Sequence, residues 1–314
     1  MKVYTSYVLS IVFKKVIVWG YPFSITTEPT NHCNLGCIEC PTGNKLSKRP
    51  AGNMNVKLYK NLIDQIKDHI IYQMHYFQGE PFLHPHFFDL IKYANQNNIY
   101  TTTSTNGHFL TQENCYKIIK SGLKKIISLD GTDQKSYEKY RVGGNFNTVI
   151  NGIKTLVSIK KELNSRFPLI SVQFLVFSHN ENQIEKIKML TKQLKVNKLI
   201  LKSAQIENFE QNRNLIPNIK RFARYSEKKQ NLIKTKLRNR CFRIWSTAVI
   251  TWEGLLISCC FDKNSTNTFG DTNYNDLKNL WVLSNFNGFR NEIIQNRKKN
   301  AICRNCSEGL RIKY

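Results

Sequence analysis

The stretch Cys33-Asn34-Leu35-Gly36-Cys37-Ile38-Glu39-Cys40 places three thiols within eight residues. This C-x3-C-x2-C spacing differs from that of zinc fingers and zinc ribbons, in which paired C-x2-4-C knuckles supply four ligands to one tetrahedral ion. A 4Fe-4S cluster normally takes four thiolates, so three thiols on one loop leave one iron without a protein ligand. The spacing therefore predicts an iron-sulfur cluster with one iron open to a substrate or cofactor.

From about residue 23 onward, short apolar runs alternate with helical patterns. This order is typical of repeated βα units around a parallel sheet. Six strands are predicted, at residues 23–27, 72–77, 99–104, 125–129, 170–177 and 198–201. Right-handed crossovers curl such a sheet toward a barrel, and six units leave the barrel open on one side. The predicted fold class is α/β, with a partial (β/α)6 TIM-like barrel followed by a small C-terminal iron-sulfur cluster domain.

Polar loops follow the first four predicted strands. The cysteine loop follows the first strand, Gln78-Gly79-Glu80-Pro81 the second, Ser104-Thr105-Asn106-Gly107 the third and Asp130-Gly131 the fourth. In parallel barrels, functional residues collect at the carboxyl ends of the strands. We therefore expect these four loops to form one site on one rim.

Together these motifs resemble the radical S-adenosylmethionine (radical SAM) superfamily. The resemblance rests on residues 28–41, Gly79-Glu80-Pro81, the Ser-x-Asn-Gly turn at 104–107, Ser128-Leu129-Asp130-Gly131 and Tyr140-Arg141. Two positions depart from the family pattern, since Gln78 stands where a first glycine is usual and Glu39 where an aromatic residue often precedes the last cysteine. The resemblance implies that Cys33, Cys37 and Cys40 hold a 4Fe-4S cluster whose open iron binds the amino and carboxylate groups of SAM.

The same resemblance implies which residues surround SAM. They are Gly79 and Glu80 at the methionine amino group, Asn106, Ser128 and Asp130 at the ribose or methionine moieties, and Arg141 at the carboxylate. A planar guanidinium suits bidentate contact with a carboxylate. Gln173 and Asn180 are further candidates. One electron from the cluster would cleave SAM to methionine and a 5'-deoxyadenosyl radical, which takes a hydrogen atom from a C–H bond of the substrate.

The C-terminal tail carries a second set of cysteines. These are Cys241, Cys259 in the pattern Gly254-x4-Cys259, and the knuckle Cys303-x2-Cys306. A hairpin over the strand-like residues 248–252 would bring Cys241 and Cys259 together. The tail looks like the SPASM or twitch extension of radical SAM enzymes, in its shorter twitch-like form with one fully ligated auxiliary 4Fe-4S cluster. Such a cluster suits electron transfer and hence a net oxidation, although the spacing alone leaves open a structural zinc held by the same four cysteines.

Composition bears on compartment and partners. The 314 residues include 47 Lys and Arg against 22 Asp and Glu, a formal net charge of +25. Nine cysteines without a cleavable signal predict reduced thiols and a cytoplasmic protein. The apolar residues 3–13 are fewer than the roughly 20 that cross a bilayer. We expect a packed first helix or strand there, the alternative being a basic interfacial helix in peripheral contact with a membrane. Aromatic and basic residues do not interleave as in single-strand binders, so no nucleic acid partner is expected.

The chain divides into four predicted segments: an N-terminal extension (1–20), a radical SAM partial barrel (21–202), a basic linker (203–240) and an auxiliary-cluster domain (241–314). Ten Lys or Arg lie between Lys220 and Arg243, against one acid. This charge makes an anionic, sugar-like substrate a candidate beside a peptide. The leading prediction is a radical SAM oxidoreductase or maturase with a flavodoxin- or ferredoxin-type reductant. The alternative is a non-catalytic basic zinc or iron-sulfur module that binds nucleic acid or acidic surfaces.

Overall fold

The structure is a computed structural model that describes residues 1–226, 233–234 and 236–306. Helix α1 (Lys2–Phe13) precedes the barrel. The six barrel strands are β1 (Ser24–Thr27), β2 (Tyr72–Met74), β3 (Tyr100–Thr102), β4 (Lys125–Ser128), β5 (Leu169–Val176) and β6 (Lys198–Ser203). Neighbouring strands pair in parallel, and hydrogen bonds of 2.9 Å from Lys124 N to Thr101 O and from Ser128 N to Thr105 O join β3 to β4. The predicted partial barrel is therefore confirmed.

Helices fill the connections between these strands. They are α2 (Val56–Ile66), α3 (Phe87–Gln96), α4 (Gln112–Ser121), α5 (Gln134–Glu138), α6 (Phe146–Glu162) and α7 (Ile184–Gln193). Polar side chains start several of them: Asn55 accepts from the backbone N–H of Leu58, and Thr111 from that of Asn114. Such caps satisfy backbone donors that have no partner within the helix. Polar capping residues therefore mark where α2 and α4 begin.

The tail follows a connector that contains the short helix α8 (Phe209–Asn212). Its elements are α9 (Arg243–Ser246), β7 (Thr247–Ile250), β8 (Leu255–Ile257), β9 (Thr268–Asp271), α10 (Leu277–Val282), α11 (Ser284–Asn296) and α12 (Ala301–Arg304). The expected hairpin is present, because β7 and β8 pair antiparallel. Of the predicted linker and tail domain, residues 227–232, among them Lys228 and Lys229, together with residues 235 and 307–314, lie outside the described residues.

The hairpin also extends the barrel sheet, which the sequence did not predict. Strand β7 pairs in parallel with β1, from Ser24 opposite Thr247 to Thr27 opposite Ile250. The strand order is β3-β2-β1-β7-β8-β9. All four residues of β7 are buried, as is usual for a strand in the middle of a parallel sheet. Backbone hydrogen bonds therefore cross the predicted boundary between the barrel and the auxiliary-cluster domain.

Buried tryptophans fix the N-terminal segment to the tail. Trp245 Nε1 donates to Ile17 O at 3.0 Å, and Trp281 Nε1 donates to Gly20 O at 3.2 Å. Both indoles belong to an apolar cluster shared by β1, α2 and the tail helices. The described ranges contain no helix that is both long enough and apolar enough to pass through a bilayer.

Candidate active site between the cysteine loop and the tail

A cavity of about 390 Å³ opens at the carboxyl ends of the barrel strands. Its walls include the predicted residues Cys33, Cys37, Cys40, Gly79, Glu80, Asn106, Ser128 and Arg141. Of the residues expected around the cluster and SAM, Asp130 and the further candidate Asn180 do not line it. The walls also contain Gln78, Ser104, Thr105, Tyr140 and Arg224, to which the sequence analysis assigned no contact with SAM. Ser104 and Thr105 belong to the predicted Ser-x-Asn-Gly turn, whereas no sequence signal marks Arg224.

Backbone and side-chain hydrogen bonds connect the cysteine loop to residues 140–142. Gly36 N donates to Val142 O at 2.9 Å, and Arg141 Nη1 donates to Cys37 Sγ at 3.7 Å. Burial raises the pKa of Cys33 to about 11. Burial also raises the pKa of Cys37, although the Arg141 guanidinium acts in the opposite direction. The thiols are therefore desolvated, and deprotonating them for metal binding requires positive charge nearby.

The two departures from the family pattern both support this loop. Gln78 Oε1 accepts from Thr42 Oγ1 at 3.3 Å and lies 3.8 Å from Cys40 Sγ. Glu39 is 4% exposed, and its Oε2 accepts from the backbone N–H of Glu207 at 2.6 Å. Gln78 thus contacts the last cysteine of the loop. Glu39 points toward the connector, and its hydrogen bond to Glu207 joins the loop to the connector.

Glu80 is buried between two strand ends. Its carboxylate accepts from Thr105 Oγ1 at 2.6 Å and from Asn106 N at 2.8 Å. Burial raises the pKa of Glu80 to about 7, although these donors oppose the rise. Gly79 has φ +73°, and a Cβ atom there would lie 2.6 Å from Thr30 O. A side chain at position 79 would collide with the backbone that leads into the cysteine loop. This packing alone is a sufficient reason for a glycine here.

Asn106 and Ser128 sit on the same wall. Asn106 Nδ2 donates to Asn34 Oδ1 at 2.7 Å, which connects the third strand end to the cysteine loop. The hydroxyl of Ser128 lies 2.9 Å from that of Ser104. Both side chains are buried by the protein yet border the cavity. They are placed to offer hydrogen bonds to a molecule bound there.

Asp130 lies behind Arg141. Its Oδ2 accepts from Arg141 Nε at 2.7 Å, and its Oδ1 accepts from Leu175 N at 2.7 Å. The side chain of Asp130 is fully buried, whereas that of Arg141 is 15% exposed. The pair therefore aims the guanidinium into the cavity while the carboxylate stays out of reach of a ligand. Asn180 is also buried and donates to Asp130 O, whereas Gln173 lines the cavity.

The four predicted tail cysteines, Cys241, Cys259, Cys303 and Cys306, line one small buried cavity. Cys260 packs instead against a cluster of Phe77, Val249 and Ile257, and Cys115 is buried in α4. Arg297 is 1% exposed, and its Nη2 donates to Cys306 Sγ at 3.4 Å. A buried cation therefore faces these thiols.

The donor sets match two kinds of iron-sulfur site. Three thiols border an open cavity with room for a further ligand, and four thiols enclose a closed one, as expected for an open and a fully ligated 4Fe-4S cluster. Among the described residues, both cysteine sets included, no group of three or more His, Cys, Asp or Glu side chains is placed to hold a single metal ion.

A groove of about 730 Å³ lies between the two cysteine sites. It shares Glu39, Gln205 and Lys263 with the cavity of the cysteine loop. It shares Phe261 and Ile302 with the cavity of the tail cysteines. A molecule in this groove would therefore approach both sites.

Two family models match the sequence. Residues 27–191 match the radical SAM superfamily, and residues 241–307 match an iron-sulfur cluster-binding domain named SPASM. The first match covers more than half of the chain. Radical SAM proteins use a 4Fe-4S cluster with SAM, and SPASM domains bind auxiliary iron-sulfur clusters.

Among characterised proteins, the mycofactocin maturase MftC of Mycobacterium tuberculosis H37Rv is 25% identical over 170 residues, which are 54% of this chain and 41% of the maturase. The chain thus spans less than half the length of that relative. The tungsten-containing aldehyde ferredoxin oxidoreductase cofactor-modifying protein of Pyrococcus furiosus is 23% identical over 292 residues, covering 84% of this chain and 82% of that protein.

Solved structures show the same fold. SuiB of Streptococcus suis bound to S-adenosylmethionine superposes with a TM-score of 0.67 at 16% identity, over 92% of this chain and 73% of SuiB. BtrN in complex with AdoMet and 2-DOIA superposes with a TM-score of 0.57 at 19% identity, over 92% of this chain and 94% of BtrN. The two family matches favour a radical SAM enzyme over the alternative of a non-catalytic binding module. The chain therefore belongs to the radical SAM superfamily, as an enzyme with a C-terminal SPASM iron-sulfur domain.

Proposed function

We propose that this protein cleaves SAM reductively at a 4Fe-4S cluster held by Cys33, Cys37 and Cys40, and oxidises a C–H bond of a substrate that lies in the groove. The observation that carries the proposal is that these thiols share one cavity with Glu80, Ser128 and Arg141. When bound, the cluster and SAM supply one electron and a 5'-deoxyadenosyl radical. The chain's own residues then have to bind, orient and shield the reacting groups.

Each wall residue has a task in this proposal. The carboxylate of Glu80 accepts from the SAM ammonium, and the guanidinium of Arg141 binds the SAM carboxylate, with Asp130 as a positioning residue behind it. Ser128 and Asn106 hydrogen-bond the ribose or methionine moiety. Burial of these groups excludes water, which would otherwise compete for each charged contact.

We assign electron removal to the tail. Cys241, Cys259, Cys303 and Cys306 would hold a single auxiliary 4Fe-4S cluster, which would supply an acceptor for the electron of the substrate radical, so that the substrate would undergo net oxidation. The shared groove supports this role, because Phe261 and Ile302 line both the groove and the tail cavity. A flavodoxin- or ferredoxin-type protein would supply the electron that starts each turnover.

The groove favours a peptide or another amino compound over a phosphorylated sugar. Its described walls carry four acidic side chains against two basic ones, although the whole chain is strongly basic. The acids are Glu39, Glu207, Glu210 and Asp262, and the bases are Lys263 and Arg304. Glu207 pairs with Lys263 at 2.7 Å, and Asp262 accepts from its own turn at Thr266 N and Asn267 N.

Glu207 and Asp262 have partners of their own, whereas Glu39 is a buried acidic residue that lines the groove. Its Oε1 and the Nε of Arg224 are among the buried polar atoms of the described residues that lack a hydrogen-bond partner, although the Asn212 side chain also lies beside the Glu39 carboxylate. Burial raises the pKa of Glu39, so a cationic group beside it would relieve a desolvated carboxylate. An amine or guanidinium near Glu39 and a carbonyl near Arg224 would satisfy both, which fits an amino-acid or peptide unit.

The central test is SAM cleavage by protein purified without oxygen. We expect brown protein that contains iron rather than zinc and, with dithionite, converts SAM to 5'-deoxyadenosine. The double variant Cys303→Ala with Cys306→Ala should keep this cleavage but lose the iron of the tail and the oxidised product, whereas Cys260→Ala should keep all three. Colourless, zinc-loaded parent protein would contradict the proposal, and full product formation by the double variant would contradict electron removal by the tail.

Glu39→Gln is expected to raise KM for an amine-bearing substrate about tenfold or more, because it removes the negative charge but keeps an acceptor for Glu207 N. The assay compares product formation from a lysine-containing peptide with that from the same peptide carrying glutamate. Glu210→Gln, on the exposed part of the groove, is the matched control. An unchanged KM in Glu39→Gln, or preference for the glutamate peptide, would refute the assignment of substrate charge.

A further inference from the structure

Helix α1 is fixed to the tail along one face. Val3, Tyr7 and Ile11 pack against the apolar cluster that β1, α2 and the tail helices share. The ring centroid of Tyr7 lies 5.0 Å from that of Phe242. Ser10 Oγ donates to Ile17 O at 3.0 Å and accepts from Ile17 N, which holds the following segment against the helix. The position of the helix on the protein is therefore well defined.

The side of the helix away from this contact is apolar as well and largely exposed, although the ring of Tyr4 also meets that of Phe242 edge-on, with centroids 5.8 Å apart. Tyr4, Val8 and Val12 recur every fourth residue and lie on one side of the helix, with exposed fractions of 62%, 36% and 66%. Phe13 is 66% exposed. Lys2 is the only charged residue in the helix. A helix that is apolar on all sides is normally covered on all sides, so this face is suited to contact with another apolar phase.

Lysines frame this face. Lys2 begins the helix, Lys14 and Lys15 follow it, and residues 1–27 contain no Asp or Glu. Gly20 lies against Val3, so the chain after the helix runs back beside it and places Trp19, 55% exposed, near its first turn. Apolar side chains with aromatic residues and a lysine rim are the composition of helices that lie in a membrane interface.

We propose that α1 binds the surface of an anionic lipid bilayer. Tyr4, Val8, Val12 and Phe13 enter the boundary between headgroups and acyl chains, and the three lysines contact anionic headgroups. Charge complementarity selects this occupant, because a second copy of the chain would bring like-charged lysines together on a molecule of net charge +25. The packed face with Tyr7 and Ile11 stays on the protein and sets the depth of insertion. The inference is independent of the proposed chemistry.

The test is co-sedimentation of the full chain with vesicles of phosphatidylcholine alone or mixed with phosphatidylglycerol. We expect binding to the mixed vesicles that weakens with salt, and a blue shift of the total tryptophan emission, to which the exposed Trp19 contributes. Val8→Asp with Val12→Asp should reduce partitioning about tenfold or more, and Lys14→Glu with Lys15→Glu should remove the preference for anionic lipid. The control Met189→Asp replaces an equally exposed apolar residue, 59% exposed on α7, and should bind like the parent.

Circular dichroism and SAM cleavage should be unchanged in the α1 variants, which shows that they are folded. Lack of parent binding to the mixed vesicles would overturn the proposal, as would unaltered binding of the Val8→Asp, Val12→Asp variant. A parent dimer in sedimentation velocity that this variant dissociates, without lipid binding, would assign the face to a second copy instead.

Discussion

Replacing Cys37 with alanine is expected to abolish the conversion of SAM to 5'-deoxyadenosine, a loss of at least about a thousandfold, because two thiolates do not hold a 4Fe-4S cluster in place. Cys37 is the most buried of the three loop cysteines and the one that Arg141 contacts. Iron analysis, the electron paramagnetic resonance of the reduced protein and chromatography of 5'-deoxyadenosine measure the effect. The tail iron should remain in this variant.

The control for Cys37→Ala is Cys115→Ala. Cys115 is also buried but lies in α4, outside both cysteine cavities. Its replacement costs packing alone, so both the iron content and SAM cleavage should stay near those of the parent. Retained cleavage in Cys37→Ala, or an equal loss in both variants, would contradict the assignment of the loop cysteines as cluster ligands.

Asp130→Ala is expected to lower the free energy of unfolding by about 3–5 kcal/mol, because it leaves the buried guanidinium of Arg141 without its carboxylate. It also removes the acceptor of Leu175 N, which belongs to β5. Urea unfolding of the iron-free protein measures the loss. The affinity for SAM should fall too, since Arg141 is no longer held in the cavity wall.

A variant that lacks both charges separates the charge from the packing. Asp130→Asn with Arg141→Met removes both charges, so it should be clearly more stable than Asp130→Ala. The exposed pair Lys117 and Glu113 on α4 is the comparison, and Glu113→Ala should leave unfolding almost unchanged. A loss below about 1 kcal/mol in Asp130→Ala would show that water or another group compensates Arg141.

Local patterns predicted the barrel and the two cysteine sets because each depends on neighbours along the chain. The β1–β7 pairing was not predicted, since an apolar run such as Thr247–Ile250 indicates a strand but not which sheet edge it joins. The direction in which a side chain points is equally hidden: Asp130 was expected at SAM, yet it faces Arg141 and Leu175. Gly79 stays a predicted SAM contact that lines the cavity, but the sequence did not show that a Cβ atom there would also meet the backbone of Thr30.

Net charge alone does not decide between the predicted substrates. Basic residues between 220 and 243 suggested an anionic substrate, but composition does not say which charges face a given cavity. Glu39 lies one residue before the last loop cysteine, and nothing in the sequence shows that its carboxylate faces the connector and the groove. Only the packing of residues far apart in sequence reveals a locally acidic surface on a basic protein.

The strand pairing between β1 and β7 has a consequence for electron flow. Both the loop that follows β1 and the hairpin that leads to Cys259 are anchored in a single sheet. Clusters held at both places would therefore keep a separation that this one sheet sets. A substrate in the groove between them would lose its electron to an acceptor at a distance fixed by strand pairing.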